Sequence, residues 1–251
     1  MNITQMFYDQ LASRYDQLFQ NWEEATCEQA GILHRLIAGH GYDRRAKVLD
    51  CACGIGTQAI GLARLGYSVT ASDISDGALD EARKRAEEAG LRICFEHADF
   101  CSLSDVFAEQ FEIVMAMDNA LPHMLSAQEL GRAIRSIANR LKDNGLFIGS
   151  IRDYDALLQT KPPYSPPYIH KTRDGQRVSF QTWQWEGEHY RLMQYIIDDG
   201  AELTVSKFAC EYRATRREEI TRLFLACGCR EVKWLFPEET DFYQPIVIAR
   251  K

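Results

Sequence analysis

The chain has 251 residues, a length that fits one large domain or one domain carrying a substantial insertion. Apolar residues make up 46%, which excludes a disordered chain. Against 36 Asp and Glu stand 29 Lys and Arg, and the resulting net charge of −7 speaks against gripping a phosphate backbone. The longest apolar runs, such as 113–117, are too short to span a bilayer. The start Met1-Asn2-Ile3-Thr4-Gln5 lacks the basic stretch and apolar core of an export signal. The expectation is a cytoplasmic protein with reduced thiols and with neither nucleic-acid nor membrane partners.

Phe7, Leu11, Tyr15 and Leu18 recur at helical spacing over 7–19. A second helix is expected from about Glu24 to Ala38, ending at Gly39 and Gly41. A regular alternation follows. A strand over 47–50 leads through a Gly-rich turn to a helix ending at Arg64. A strand over 68–72 reaches Asp73, and Ser75 is placed as the N-cap of a helix that stops at Gly90. Strands over 92–97 and 112–117 come next. The capping box Ser126-x-x-Glu129 opens a helix ending near Leu141, and after Gly145 a fifth strand covers 146–151. This alternation predicts an α/β fold with a doubly wound, mostly parallel sheet covered on both faces.

Beyond Ile151 the texture changes. The segment 161–167 holds four of the seven prolines and reads as a stiff extended loop. Three aromatic-rich strands over 177–185, 190–198 and 204–212 are separated by turn signals. Thr215-x-x-Glu218 caps one more helix, ending at Gly228, and strands over 230–235 and 246–250 pair antiparallel. The expected architecture is thus a seven-stranded Rossmann-like sheet with a three-stranded antiparallel insertion after strand five. Its organisation is a helical cap over 1–44, a core over 45–152 and 213–251, and an insertion over 153–212 covering the substrate.

The segment from Val48 to Ala59 carries the chemistry. Gly54-x-Gly56-x-x-Ala59 fits the dinucleotide fingerprint, and Asp73, nineteen residues past Gly54, suits ribose hydroxyls. Asp50 chooses between ligands. A pyrophosphate beside it meets a like charge, whereas the sulfonium and α-ammonium of S-adenosylmethionine are both positive. Asp99 and Phe100 follow strand three, where a carboxylate accepts from an adenine amino group and a backbone N–H donates to its ring nitrogen. The C-x-C pairs Cys51/Cys53 and Cys227/Cys229 and the scattered histidines do not match zinc spacing, so no metal is expected.

These residues resemble the class I S-adenosylmethionine-dependent methyltransferases over about residues 45–150. The segments 117–123 and 150–155, the aromatic insertion, and the leading Phe7-Tyr8-Asp9-x-x-Ala12-x-x-Tyr15-Asp16 are similar to the glycine/sarcosine N-methyltransferase group. The resemblance implies that S-adenosylmethionine is the cofactor. It implies that Tyr15, Trp22, Asp50, Ala52, Gly54, Gly56, Asp73, Ile74, Asp99, Phe100, Met117 and His123 form its site. Tyr8, Asn119, Arg152, Tyr195 and Tyr212 are implied around a small-molecule acceptor, with Asn119 and Arg152 on its carboxylate. No catalytic residue is assigned, and His123 reads equally as a base or as a satisfied structural histidine.

The chain also departs from that group. The stretch 22–26 lacks the arginine that the group offers to the methionyl carboxylate, and Phe19 stands where the group has a tyrosine. The long N-terminal arm is missing, so a monomer or homodimer is expected. Two Pro-Pro-Tyr triplets at 162–164 and 166–168 invite comparison with the Asn-Pro-Pro-Tyr box of amino-methylating nucleic-acid enzymes. They lack its leading Asn or Asp and follow strand five rather than strand four. O-methylation of a small metabolite and a non-catalytic cofactor-binding module remain the competing readings.

Overall fold

The computed structural model describes residues 2–251. Among these residues eleven strands form two sheets. The strands of the larger sheet are β1 (Lys47–Asp50), β2 (Ser68–Asp73), β3 (Cys94–His97), β4 (Phe111–Ala116), β5 (Leu141–Ser150), β10 (Glu231–Leu235) and β11 (Ile246–Arg250). Their order is β10-β11-β5-β4-β1-β2-β3. β1 to β5 run parallel, while β11 lies antiparallel between β5 and β10.

The central strands are apolar in near-continuous runs because both faces are covered. On one face Leu49, Val114, Phe147 and Val247 pack with Leu130, Ile134 and Phe224, which come from α5 (Ala127–Arg140) and α7 (Arg217–Ala226). The alternate residues Val48, Ile113, Met115 and Ile148 meet Leu33 and Ile37 of α2 (Trp22–Gly39) and Leu62 of α3 (Thr57–Arg64). Period-two alternation of the strand thus meets the helical stripe on each side.

The smaller sheet comprises β6 (Tyr168–Thr172), β7 (Gly175–Glu186), β8 (His189–Asp199) and β9 (Leu203–Arg213), all antiparallel. It follows α6 (Tyr154–Thr160). The expected three-stranded insertion is therefore corrected to four strands. The missed strand, β6, is a short exposed edge placed directly after the proline cluster, so it carries no buried apolar face to announce it.

Other boundaries also shift. The first helix divides into α1 (Ile3–Leu11) and a 3₁₀ segment, Ala12–Leu18. β5 begins at Leu141, ahead of a bulge in its pairing with β4. Thr215 does not cap α7; its hydroxyl donates to the carbonyl of Arg213, and the amide of Arg217 donates to Asp155 instead. Ser75 and Ser126 do cap their helices, the former opening α4 (Asp76–Glu88). α1 is tied across to α4, because Asp9 Oδ1 accepts from the Ser75 hydroxyl at 2.6 Å and the Gly77 amide at 3.0 Å. Among the described residues no helix is long and apolar enough to cross a membrane.

Candidate active site

A cavity of about 250 Å³ opens above the carboxyl ends of β1, β2 and β4, where open α/β sheets bind ligands. The turn after β1 shapes its floor. The Cys51 amide donates to Met115 O and the Cys53 amide to Ser72 O, which pins the turn between two strands. Gly54 and Gly56 both have positive φ, +53° and +91°. A Cβ at Gly56 would lie 2.9 Å from Ile60 Cδ1, so that glycine serves the packing of α3. A Cβ at Gly54 would meet no atom within 4 Å, leaving the loop backbone open to a ligand.

Asp73 is the polar centre of this cavity. Its two oxygens accept from the amides of Gly54 at 2.8 Å and Ser75 at 2.9 Å. Each oxygen keeps a further lone pair. Ala52, Gly54, Asp73, Ile74, Asp99, Phe100, Met117, Tyr8, Tyr15 and His123 all line the space. Trp22 and Gly56 stand behind it. The Trp22 indole donates to Thr57 Oγ1 at 3.0 Å, and it is Thr57 that faces the cavity.

Asp50 also stands behind the loop, fully buried, and does not line the cavity. Burial is the main reason its carboxyl is pushed up to about 8, with Asp118 and Asp73 adding to the effect. The amides of Ala52 and Ala59 face Asp50 and offset part of this without closing a hydrogen bond. Folded Asp50 therefore keeps its proton where the unfolded chain has released it. Stability should fall as pH rises from about 4, the ordinary carboxylate value, and level off above about 8. The slope from this one group is at most about 1.4 kcal/mol per pH unit. Denaturant unfolding between pH 5 and pH 9 should show the Asp50→Asn variant losing that part of the slope; superimposable wild-type and variant profiles would refute the assignment.

A second cleft, about 980 Å³, adjoins the first, and Tyr8, Tyr15 and Asp118 line both. Asn119, Arg152 and Tyr212 line this cleft. Asp118 and Asn119 follow β4 in left-handed conformation, with φ of 53° and 69°, which Asp and Asn tolerate better than other side chains. Asn119 Oδ1 accepts from the Arg152 amide at 3.1 Å and the Tyr154 hydroxyl at 3.0 Å. This fixes the amide's orientation and leaves Nδ2 buried with no partner.

The Arg152 guanidinium donates to Tyr190 Oη at 2.7 Å and Gln181 Oε1 at 2.9 Å. It lies 5.0 Å from the Trp183 ring centroid and 5.6 Å from that of Tyr212. Asp153 and Asp155, its sequence neighbours, both pair with Arg217. Among the described residues no carboxylate lies within ion-pair distance of Arg152.

Tyr195 does not reach the cleft. Alternation along β8 sends Leu192 and Gln194 into it and puts Tyr195 on the opposite face, stacked on Phe180 with ring centroids 5.0 Å apart. His123 is buried, with Nε2 2.9 Å from Tyr8 Oη and its ring 4.2 Å from that of Tyr212. Burial, with help from Arg152, pushes its pKa down to about 3, so the imidazole is neutral and a weak base. Asp118 went unassigned in the sequence, yet its carboxylate lines both spaces. It accepts from Gln58 Nε2 at 2.8 Å and the Tyr243 hydroxyl at 2.7 Å. Gln181, Tyr154 and Tyr190, which hold Arg152 and Asn119, were missed as well.

Residues 48–145 match a methyltransferase domain family. The glycine/sarcosine N-methyltransferase of Aphanothece halophytica is 25% identical over 262 residues, covering 98% of this chain and 89% of that one. The glycine N-methyltransferase of Rattus norvegicus is 33% identical over 170 residues, covering 63% of this chain and 57% of the rat protein. A solved S-adenosylmethionine-dependent methyltransferase from Clostridium acetobutylicum superimposes with a TM-score of 0.75 at 18% identity, covering 97% of each chain. A sugar N-methyltransferase from Streptoalloteichus does so with a TM-score of 0.77 at 15% identity, covering 94% of this chain and 92% of the other.

Residues 48–145 thus match a methyltransferase domain, and the chain as a whole has the fold of S-adenosylmethionine-dependent methyltransferases. In sequence it resembles the glycine N-methyltransferase group.

Proposed function

We propose that this enzyme methylates the amine of a small molecule that also bears a carboxylate: glycine, sarcosine or a related amino acid. The observation that carries this reading is Arg152. It is a cation set among aromatic rings with no acid partner, beside an unpartnered Asn119 amide N–H. A carboxylate there satisfies both, as guanidinium and carboxylate match in bidentate fashion. The glycine/sarcosine and glycine N-methyltransferases to which the chain is similar support the same choice.

In this reading the adenosyl part lies over Gly54, with Asp73 on the ribose and Asp99 and Phe100 at the adenine. Tyr8, Tyr15 and Asp118 stand where cofactor and acceptor meet. S-adenosylmethionine supplies a methyl group already activated on sulfur. What remains for the chain is positioning, which accounts for much of the acceleration in such displacements. Arg152 and Asn119 fix the acceptor's carboxylate, Asp118 offers its nitrogen a hydrogen-bond acceptor, and the enclosing rings exclude water. The low pKa of His123 disfavours O-methylation of a hydroxyl that needs a base.

Methyl transfer from radiolabelled cofactor to glycine, sarcosine and a panel of amines and phenols tests the reading. Label in carboxylate-bearing amines is expected. Label in phenols alone overturns it in favour of O-methylation, and cofactor binding without transfer to any acceptor marks a non-catalytic module.

A further inference from the structure

The acceptor cleft is far larger than glycine or sarcosine requires. Its volume, about 980 Å³, is that of a pocket for a drug-sized ligand. Arg152 and Asn119 occupy one part. From Gln181, which Arg152 contacts, the cleft continues along the insertion sheet to β6. Tyr168 and His170 point to the same face there, with rings 6.5 Å apart and nearly parallel at 7°. In register, His170 pairs with Arg177, four residues along β7 from Gln181, or about 13 Å.

Both ring nitrogens of His170 are buried with no hydrogen-bond partner, a condition native structures rarely leave uncompensated. No cleft neighbour fills the gap. Gln181 spends its oxygen on Arg152 and Trp183 and its nitrogen on Gln194, while Gln194 donates to the Phe180 and Tyr195 carbonyls. A neutral imidazole presents one donor and one acceptor. That pair complements a hydroxyl, which donates and accepts, better than a phosphate or carboxylate, which only accepts.

We propose that the natural acceptor carries an uncharged, hydroxyl-bearing ring beyond its amino-acid head, packed against Tyr168 and hydrogen-bonded to His170. The proposal rests on the reading of Arg152 and Asn119 as the anchor of that head. It gives the enzyme a preference for an extended amine over a free small amino acid, with both held by the same head contacts.

The test is calorimetric binding to the full chain saturated with S-adenosylhomocysteine, using L-serine, O-β-glucosyl-L-serine and O-phospho-L-serine as probes. Glucosylserine is expected to bind at least about tenfold tighter than serine. His170→Phe should abolish that ratio, whereas His170→Gln, which keeps a donor and an acceptor, should retain part of it. Equal affinity for serine and glucosylserine, tighter binding of phosphoserine, a ratio that survives His170→Phe, or no binding of any probe overturns the proposal. Failure of the head reading looks different: Arg152→Lys then leaves all three affinities unchanged while the ratio still depends on His170.

Discussion

Asp73→Ala is expected to weaken S-adenosylmethionine binding by about 100- to 1000-fold. Hydrogen bonds to a charged group contribute about 1.5–3 kcal/mol each, and two ribose hydroxyls meet this carboxylate in the proposed site. The same substitution frees the amides of Gly54 and Ser75, so the Gly-rich turn loses its tie to the start of α4. Asp73→Asn should also be poor. An amide places a donor against one of two backbone donors, and restores neither the charge nor both acceptors. Titration with the cofactor and with S-adenosylhomocysteine reads the affinity, and circular dichroism checks that the variants fold. Folded variants with wild-type affinity would remove Asp73 from the site.

Arg152→Ala should raise the acceptor KM by about 10- to 100-fold, the effect of losing one bidentate charged contact. Arg152→Lys should recover little of this despite keeping the charge. The planar fork is what reaches Tyr190 and Gln181 together while leaving N–H groups for a substrate. Cofactor affinity should hardly change, because Arg152 lines the acceptor cleft and not the adenosyl cavity. Steady-state kinetics with glycine or sarcosine, paired with cofactor titration, separates the outcomes. An unchanged KM in both variants excludes Arg152 as the acceptor anchor. A collapse of cofactor binding instead assigns Arg152 to the methionyl carboxylate, the role left open by the absence of arginine in 22–26.

The core of the fold was legible because its signals are local. The strand–turn–helix from Val48 to Ala59, the acid at the end of the next strand, and the serine caps at 75 and 126 each depend on residues within one or two turns of chain. The residues expected around the adenosyl part largely face one cavity for the same reason: they occupy the strand ends of a regular topology. Three do not line it, because of local geometry that spacing does not report. Asp50 and Gly56 lie behind the turn they help form, and Trp22 is held off by Thr57.

Sequence by itself determined the doubly wound sheet and the candidate ends Asp73, Asn119 and Arg152, since hydrophobic period and turn chemistry are written along the chain. Only the tertiary structure decided what surrounds Arg152. Tyr190 and Gln181 approach it from strands 38 and 29 residues away, and Arg217 takes up both nearby acids from a helix still farther along. It likewise set Asp118 at the junction through Gln58 and Tyr243, 60 and 125 residues away, turned Tyr195 away from the cleft and added β6 as an edge strand. Contacts of that range arise when separate elements dock, and each depends on register, strand face and side-chain reach together, which no single stretch of sequence encodes.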